Sequence, residues 1–151
     1  METPNPRLPI FAGEFRHAMD AKNRVTIPAR WRRGEVDEFF AIPDVENGFL
    51  MMMPPEVIQE VAGRVESDAR FNAQDKRRFI RQFYSRAQHL TTDKQGRLVL
   101  PEEHCRQLKL KQEVVLIGGH SRFEVWNPDT WKKTLAEETP TFQHVLGMMG
   151  V

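Results

Sequence analysis

Cysteine is almost absent: the chain has one, Cys105, which cannot form an internal disulfide. Cys-x-x-Cys and His-x-x-x-His spacings are also missing, so no metal site is recognisable and no cofactor is expected. No apolar run approaches the roughly 18 residues a membrane span needs, and Met1-Glu2-Thr3-Pro4-Asn5-Pro6 lacks the basic start and apolar stretch of a signal peptide. The expected compartment is the cytoplasm, with no membrane partner. There is no Gly-rich phosphate loop and no nucleophile beside an evident base, so neither an enzyme nor a small-molecule substrate is expected. Bulk charge is missing too: 22 basic against 21 acidic residues leave a net +1. The distribution of charge therefore matters more than its total.

What is present is a repeat. Asp20-Ala21-Lys22-Asn23-Arg24-Val25-Thr26-Ile27-Pro28 returns as Asp93-Lys94-Gln95-Gly96-Arg97-Leu98-Val99-Leu100-Pro101 at an offset of 73 residues. The same offset sets Asn47 on His120, Leu50 on Phe123 and Pro55-Glu56 on Pro128-Asp129. Two copies of a unit too small to fold alone can share one core, and 151 residues with 40% hydrophobic content suffice for one. From Met1 to Arg33 seven basic residues (Arg7, Arg16, Lys22, Arg24, Arg30, Arg32, Arg33) face three acidic ones. Basic charge thus gathers around the first motif.

Phe15 to Met19 alternates with a period of two, as a half-buried strand does, and Arg24 to Ile27 reads as the next strand. Between them Asn23, matched by Gly96, marks a position needing positive φ. Pro28 and Pro101 open short helices, Ala29 to Arg33 and Glu102 to Leu108. Strands follow at Glu38 to Ile42 and Glu113 to Ile117, turns at Asn47-Gly48 and Gly118-Gly119, then strands at Phe49 to Met52 and Arg122 to Trp126. After Pro54-Pro55 and Asn127-Pro128 each copy turns helical. The stretch from Gln59 to Arg86 reads as a helical linker: Asp75 opens a segment with Phe79, Ile80 and Phe83 on one face and Lys76, Arg77, Arg78 and Arg81 on the other. Thr139 to Val151 reads as a short docked helix or a tail ordered on assembly. The fold class is mainly β with short helices (α+β), divided as repeat 1 over 14–61, linker over 62–86, repeat 2 over 87–133 and C-terminal tail over 134–151.

The run from Gly13-Glu14-Phe15-Arg16-His17-Ala18-Met19-Asp20 through Pro28, with the second Asp93-x-x-x-Arg97, resembles the MraZ family of bacterial transcriptional regulators over roughly Gly13 to Trp131. The resemblance implies two AbrB-like swapped-hairpin units closing into one pseudo-twofold β barrel. It further implies ring-shaped homo-oligomers that bind tandem repeats in double-stranded DNA, upstream of the cell-division and cell-wall gene cluster holding their own gene. Such a regulator is autoregulatory and nucleoid-associated. Asn23 departs from the family's usual glycine, and asparagine tolerates the same backbone geometry.

The motif also suits DNA on its own terms. A tight loop projects Lys22 and Arg24 from a rigid base, and a guanidinium can bridge phosphate oxygens or read guanine bidentately. The candidate DNA-binding residues are Arg16, Lys22, Asn23, Arg24, Lys94, Gln95 and Arg97. Asp20 and Asp93 repel phosphate, so their expected task is to accept hydrogen bonds from loop N–H groups or to orient the arginine. The bland alternative is a salt bridge that merely closes a hairpin. Arg30, Arg32, Arg33 and the basic linker face are weaker candidates for phosphate contact. Met51-Met52-Met53, Trp31, Trp126 and Trp131 read as packing, and His104-Cys105 is a poor catalytic pair because helix neighbours diverge by about 100°. An AbrB-like protein interaction module, antitoxin-like or scaffold, is the alternative function.

Overall fold

The computed structural model describes residues 10–151; residues 1–9 lie outside the described residues. The order is β1 (Glu14–Ala18), β2 (Arg24–Thr26), a 3-10 turn (Ala29–Trp31), β3 (Glu38–Asp44), β4 (Phe49–Met53), α1 (Pro55–Ser67), α2 (Ala73–Arg86), β5 (Gln88–Thr91), β6 (Arg97–Val99), α3 (Glu102–Leu108), β7 (Glu113–Gly118), β8 (Phe123–Trp126) and α4 (Pro128–Met148).

Among the described residues the strands form no closed barrel, which corrects that expectation for this α+β chain. Six make an open antiparallel sheet in the order β1-β7-β8-β4-β3-β5, and β2 pairs only with β6. Closure would require the edge strands β1 and β5 to find partners. The strands that could supply them are three residues long, stopped by Pro28 and Pro101, and occupied with each other. Within the sheet β1 pairs with β7 and β5 with β3, so each repeat lends its first strand to the other. Pro43 sits in β3 where only β4 is alongside, because β5 reaches no further than Ala41; the missing N–H therefore breaks no ladder.

The repeat is in register, with one correction to the constant offset. Phe40 pairs with Met53 and Val115 with Trp126, so β4 maps on β8 at 126 − 53 = 73 but β3 maps on β7 at 115 − 40 = 75. The second repeat spends two more residues on α3 and two fewer on the hairpin turn. Asn47 and His120 therefore do not occupy matching places. Val25 faces Leu98 at the centre of the ribbon, where the local twofold relation passes.

One apolar cluster takes side chains from both repeats, including Val25, Ile27, Trp31, Phe39, Leu50, Leu98, Leu100, Leu116 and Phe123, each almost wholly removed from water. Trp31, expected as a packing anchor, is fully buried, and its indole Nε1 donates to Ala12 O at 3.1 Å. Phe11, which precedes β1, stands edge-on to Trp31 with ring centroids 5.5 Å apart and bridges His120 through its backbone. That close passage explains Gly118: a Cβ there would lie 2.5 Å from the Phe11 carbonyl carbon. Backbone, unlike a long side chain, cannot swing aside. Gly118→Ala should cost roughly 1–3 kcal/mol, as overpacking does, read as a lowered denaturation midpoint; an unchanged midpoint would show that the passage of Phe11 over Gly118 adds little.

The helices follow their caps. Pro55 and Pro128 occupy the first turns of α1 and α4, and Asn127 Oδ1 accepts from Asp129 N and Thr130 N. The helical linker consists of the end of α1 and the whole of α2, separated by residues 68–72, and α2 begins under Asn72, whose side chain accepts from Asp75 N. Its faces also differ from the expected ones. Lys76, Ile80 and Phe83 share the half-buried stripe, whereas Phe79 is turned out. The segment 134–151 is mostly the continuation of α4, which runs through Pro140 to Met148.

Candidate nucleic-acid interface

Each Asp-x-x-x-Arg loop is held by its aspartate in the same way. Asp20 Oδ1 accepts from the backbone N–H groups of Lys22 and Arg24, both at 2.9 Å, while Oδ2 accepts from Arg24 Nε at 2.6 Å. Asp93 Oδ1 accepts from Gln95 N and Arg97 N, both at 2.9 Å, and Oδ2 from Arg97 Nε at 2.7 Å. One carboxylate thus fixes the turn and the arginine side chain together. The Arg24 backbone N–H, followed by the guanidinium, holds the Asp20 carboxyl below the usual carboxylate range; the Arg97 N–H leads the same effect on Asp93. Asn23 adopts φ 59° and Gly96 φ 79°, so asparagine does take the glycine conformation.

The loops are tied to each other as well. Leu100 N donates to Asn23 O and Ile27 N to Gly96 O, both at 2.8 Å, which extends the β2–β6 pairing into both turns. Arg24 lies opposite Val99 and Thr26 opposite Arg97. Cross-strand partners share a face, so these four side chains form the outer surface of the ribbon while Val25 and Leu98 point into the core. Arg24 and Arg97 are diagonal neighbours on that surface, about 7–8 Å apart at Cα. Each guanidinium uses Nε internally, and among the described residues its Nη donors have no hydrogen bond.

Both loops thus belong to one surface, with Lys22 exposed beside the first arginine and Lys94 and Gln95 in the loop of the second. Arg16 stands elsewhere: it is on edge strand β1, and its Nη1 donates to Glu113 Oε1 at 2.9 Å. Of the weaker candidates, Arg32 reaches the second loop, donating to Lys94 O at 3.1 Å and packing across Gly96. Arg33 pairs with Glu56, and Arg30 lies 5.9 Å over the Phe15 ring. Two outer-face residues, Thr26 and Val99, escaped the sequence reading. The signal for Val99 was there: it is 55% exposed between Leu98 and Leu100, both buried, so period-two alternation turns it to solvent.

Other conspicuous residues are structural. Met52 and Met53 are buried, and so are His104 and Cys105. Burial pushes the Cys105 thiol up and the His104 imidazole down, which leaves an unreactive thiol beside a neutral ring. Among the described residues no group of three or more His, Cys, Asp or Glu is placed to hold a metal, and no helix is long and apolar enough to cross a membrane.

Comparison with known proteins bears on this arrangement. Residues 83–149 match the family model "MraZ protein, putative antitoxin-like". A protein of Desulforamulus reducens named transcriptional regulator MraZ is 35% identical over 136 residues, covering 90% of this chain and 94% of its own. A Carboxydothermus hydrogenoformans protein of the same name is 37% identical over 122 residues, covering 81% and 84%. One from Acetivibrio thermocellus is 30% identical over 145 residues, covering 94% and 100%. The relatives carry the name of a regulator and not that of an enzyme. With its repeated Asp-x-x-x-Arg loops and this extent of similarity, the chain belongs to the MraZ family of transcriptional regulators.

Proposed function

We propose that the chain is a sequence-specific DNA-binding regulator whose reading surface is the outer face of the β2–β6 ribbon. The observation that carries this is the convergence of Arg24 and Arg97 on one surface, each braced by an aspartate that also fixes its loop. A braced guanidinium loses less freedom on binding than a free one, and a two-stranded ribbon fits the major groove. Thr26 and Val99 add methyl groups that suit thymine, while Lys22, Asn23, Lys94 and Gln95 flank the pair for phosphate or base contact. Arg16, engaged with Glu113, contributes at most by exchanging that ion pair for a phosphate. The crosswise pairing of β1 with β7 and β5 with β3 supports reading the repeats as halves of one interleaved, AbrB-like unit.

The regulator acts as a homo-oligomeric ring on tandem repeats upstream of the cell-division and cell-wall genes, its own gene included. The test is fluorescence anisotropy of the full chain with a labelled fragment from upstream of its own gene and with a shuffled fragment, at two salt concentrations. Tight binding to the native fragment alone is the expected result. Equal, steeply salt-sensitive binding to both fragments would reduce the ribbon to a basic patch, and no binding would turn the search toward an acidic protein partner.

A further inference from the structure

The internal repeat lets each surface of one half be compared with its counterpart, and one pair of grooves differs. In the first repeat the groove between the sheet and α1 is filled: Ile42, Met53 and Ile58 form a second buried cluster, covered by Phe83 of α2 and by Ala87, the residue that follows that helix. Adding 75 to the β3 position and 73 to those of β4 and α1 gives Ile117, Trp126 and Trp131. These line a cavity of about 630 Å³ that nothing among the described residues fills. The filled groove and the open one are the same piece of architecture, and only one has its helix.

The lining of the open groove specifies what fits it. Phe49 stacks on Trp126 with centroids 4.8 Å apart, and Trp131 stands 5.3 Å beyond, so the wall is aromatic. Where the first repeat has Met51, Arg64 and Val65, the second has Glu124, Glu137 and Glu138. Glu124 accepts from Trp126 Nε1 at 2.9 Å, and burial already pushes its carboxyl up. Covering that carboxylate with a purely apolar segment would desolvate it without compensation, so the occupant has to bring positive charge to an aromatic wall.

The chain carries such a segment. Arg77, Arg81 and Tyr84 follow each other at i, i+4 and i+7 on α2, beside the stripe that packs on α1. All three are exposed, and neither guanidinium is hydrogen-bonded among the described residues. We propose that the open groove of one copy receives the Arg77–Arg81–Tyr84 stripe of α2 from a second copy, the two arginines meeting the acidic set of Glu124, Glu137 and Glu138. Groove and stripe are different surfaces, so the contact is head-to-tail and repeats from copy to copy until the rotation closes a ring. The proposal rests on the reading of a self-assembling regulator and assigns the assembly a specific seat.

Sedimentation velocity of the full chain without DNA tests it. The wild type should run as an oligomer. The double reversals Arg77→Glu with Arg81→Glu, and Glu137→Arg with Glu138→Arg, should each yield smaller species that stay folded by circular dichroism and still unfold cooperatively. The quadruple variant, in which the charges match again, should regain the wild-type mass. Arg77→Ala with Arg81→Ala gives the same reading should a reversal fail to fold. A monomeric wild type would overturn both the seat and the assembly itself. An oligomer indifferent to all four changes would overturn the seat alone, as would one dissolved only by Phe142→Asp, which would move the contact to the exposed apolar end of α4.

Discussion

Arg24→Ala should lower affinity for the native upstream fragment by about tenfold to a hundredfold for each ribbon engaged, since one bidentate arginine contributes roughly 1–3 kcal/mol of base discrimination. In an assembly that engages several ribbons at once, specific binding should fall below detection. Stability should hardly change. The Arg24–Asp20 pair lies at a partly exposed surface, where an ion pair stabilises little, and Asp20 Oδ1 keeps its two backbone hydrogen bonds without it. The check is anisotropy beside a thermal melt. A folded variant without specific binding would support reading by the ribbon, whereas a variant that unfolds would return the motif to a structural ion pair. Arg97→Ala is the informative companion: its matching geometry on the same face predicts a comparable loss, and wild-type affinity would mean that one arginine suffices.

The parts of this molecule that were legible in sequence are those encoded locally. Asp20 and Asp93 close their own loops through atoms two and four residues away, so the motif reads the same in sequence and in space. Pro28 and Pro101 end the ribbon strands, and the alternation of Phe15 and His17 marks β1. Strand partnership was not legible. Residue for residue β2 pairs as readily with β1 as with β6, and what decides is the burial of Val25 against Leu98 across 73 residues of chain. For that reason the open sheet and separate ribbon replaced the expected barrel. The shifted hairpin was hidden because its two compensating length changes leave the offset intact on either side. The unbroken run of α4 through Pro140 is not legible because proline marks stops more often than kinks, and the contact of Arg32, a weaker candidate for phosphate contact in sequence, is not legible because its target, Lys94 O, is distant in sequence. The placement of both arginines on one face follows from the cross-repeat pairing, and that is the feature on which the DNA reading depends.

Changing the spacer between two upstream repeats by about five base pairs, half a helical turn, should lower affinity by roughly 10²- to 10⁴-fold although every base contact survives. The reading surface is small. Each ribbon strand has three residues, which span about 10 Å. At about 3.4 Å per base pair that covers roughly three pairs. Two arginines over three pairs cannot single out one site in a genome, so under the proposed function selectivity requires several copies held in fixed relation. Such copies gain by effective concentration only where the DNA presents each repeat on the side they face. Half a turn places the second repeat on the opposite side of the duplex, and the linked contact is lost. A full-turn insertion should restore most of the affinity. Titrating fragments with the native spacer and with half-turn and full-turn insertions separates the cases: a dip at the half turn alone marks a rigid multivalent reader. Equal affinity for all three would mean that each chain reads its repeat independently, and the need for an assembled ring would fall with it.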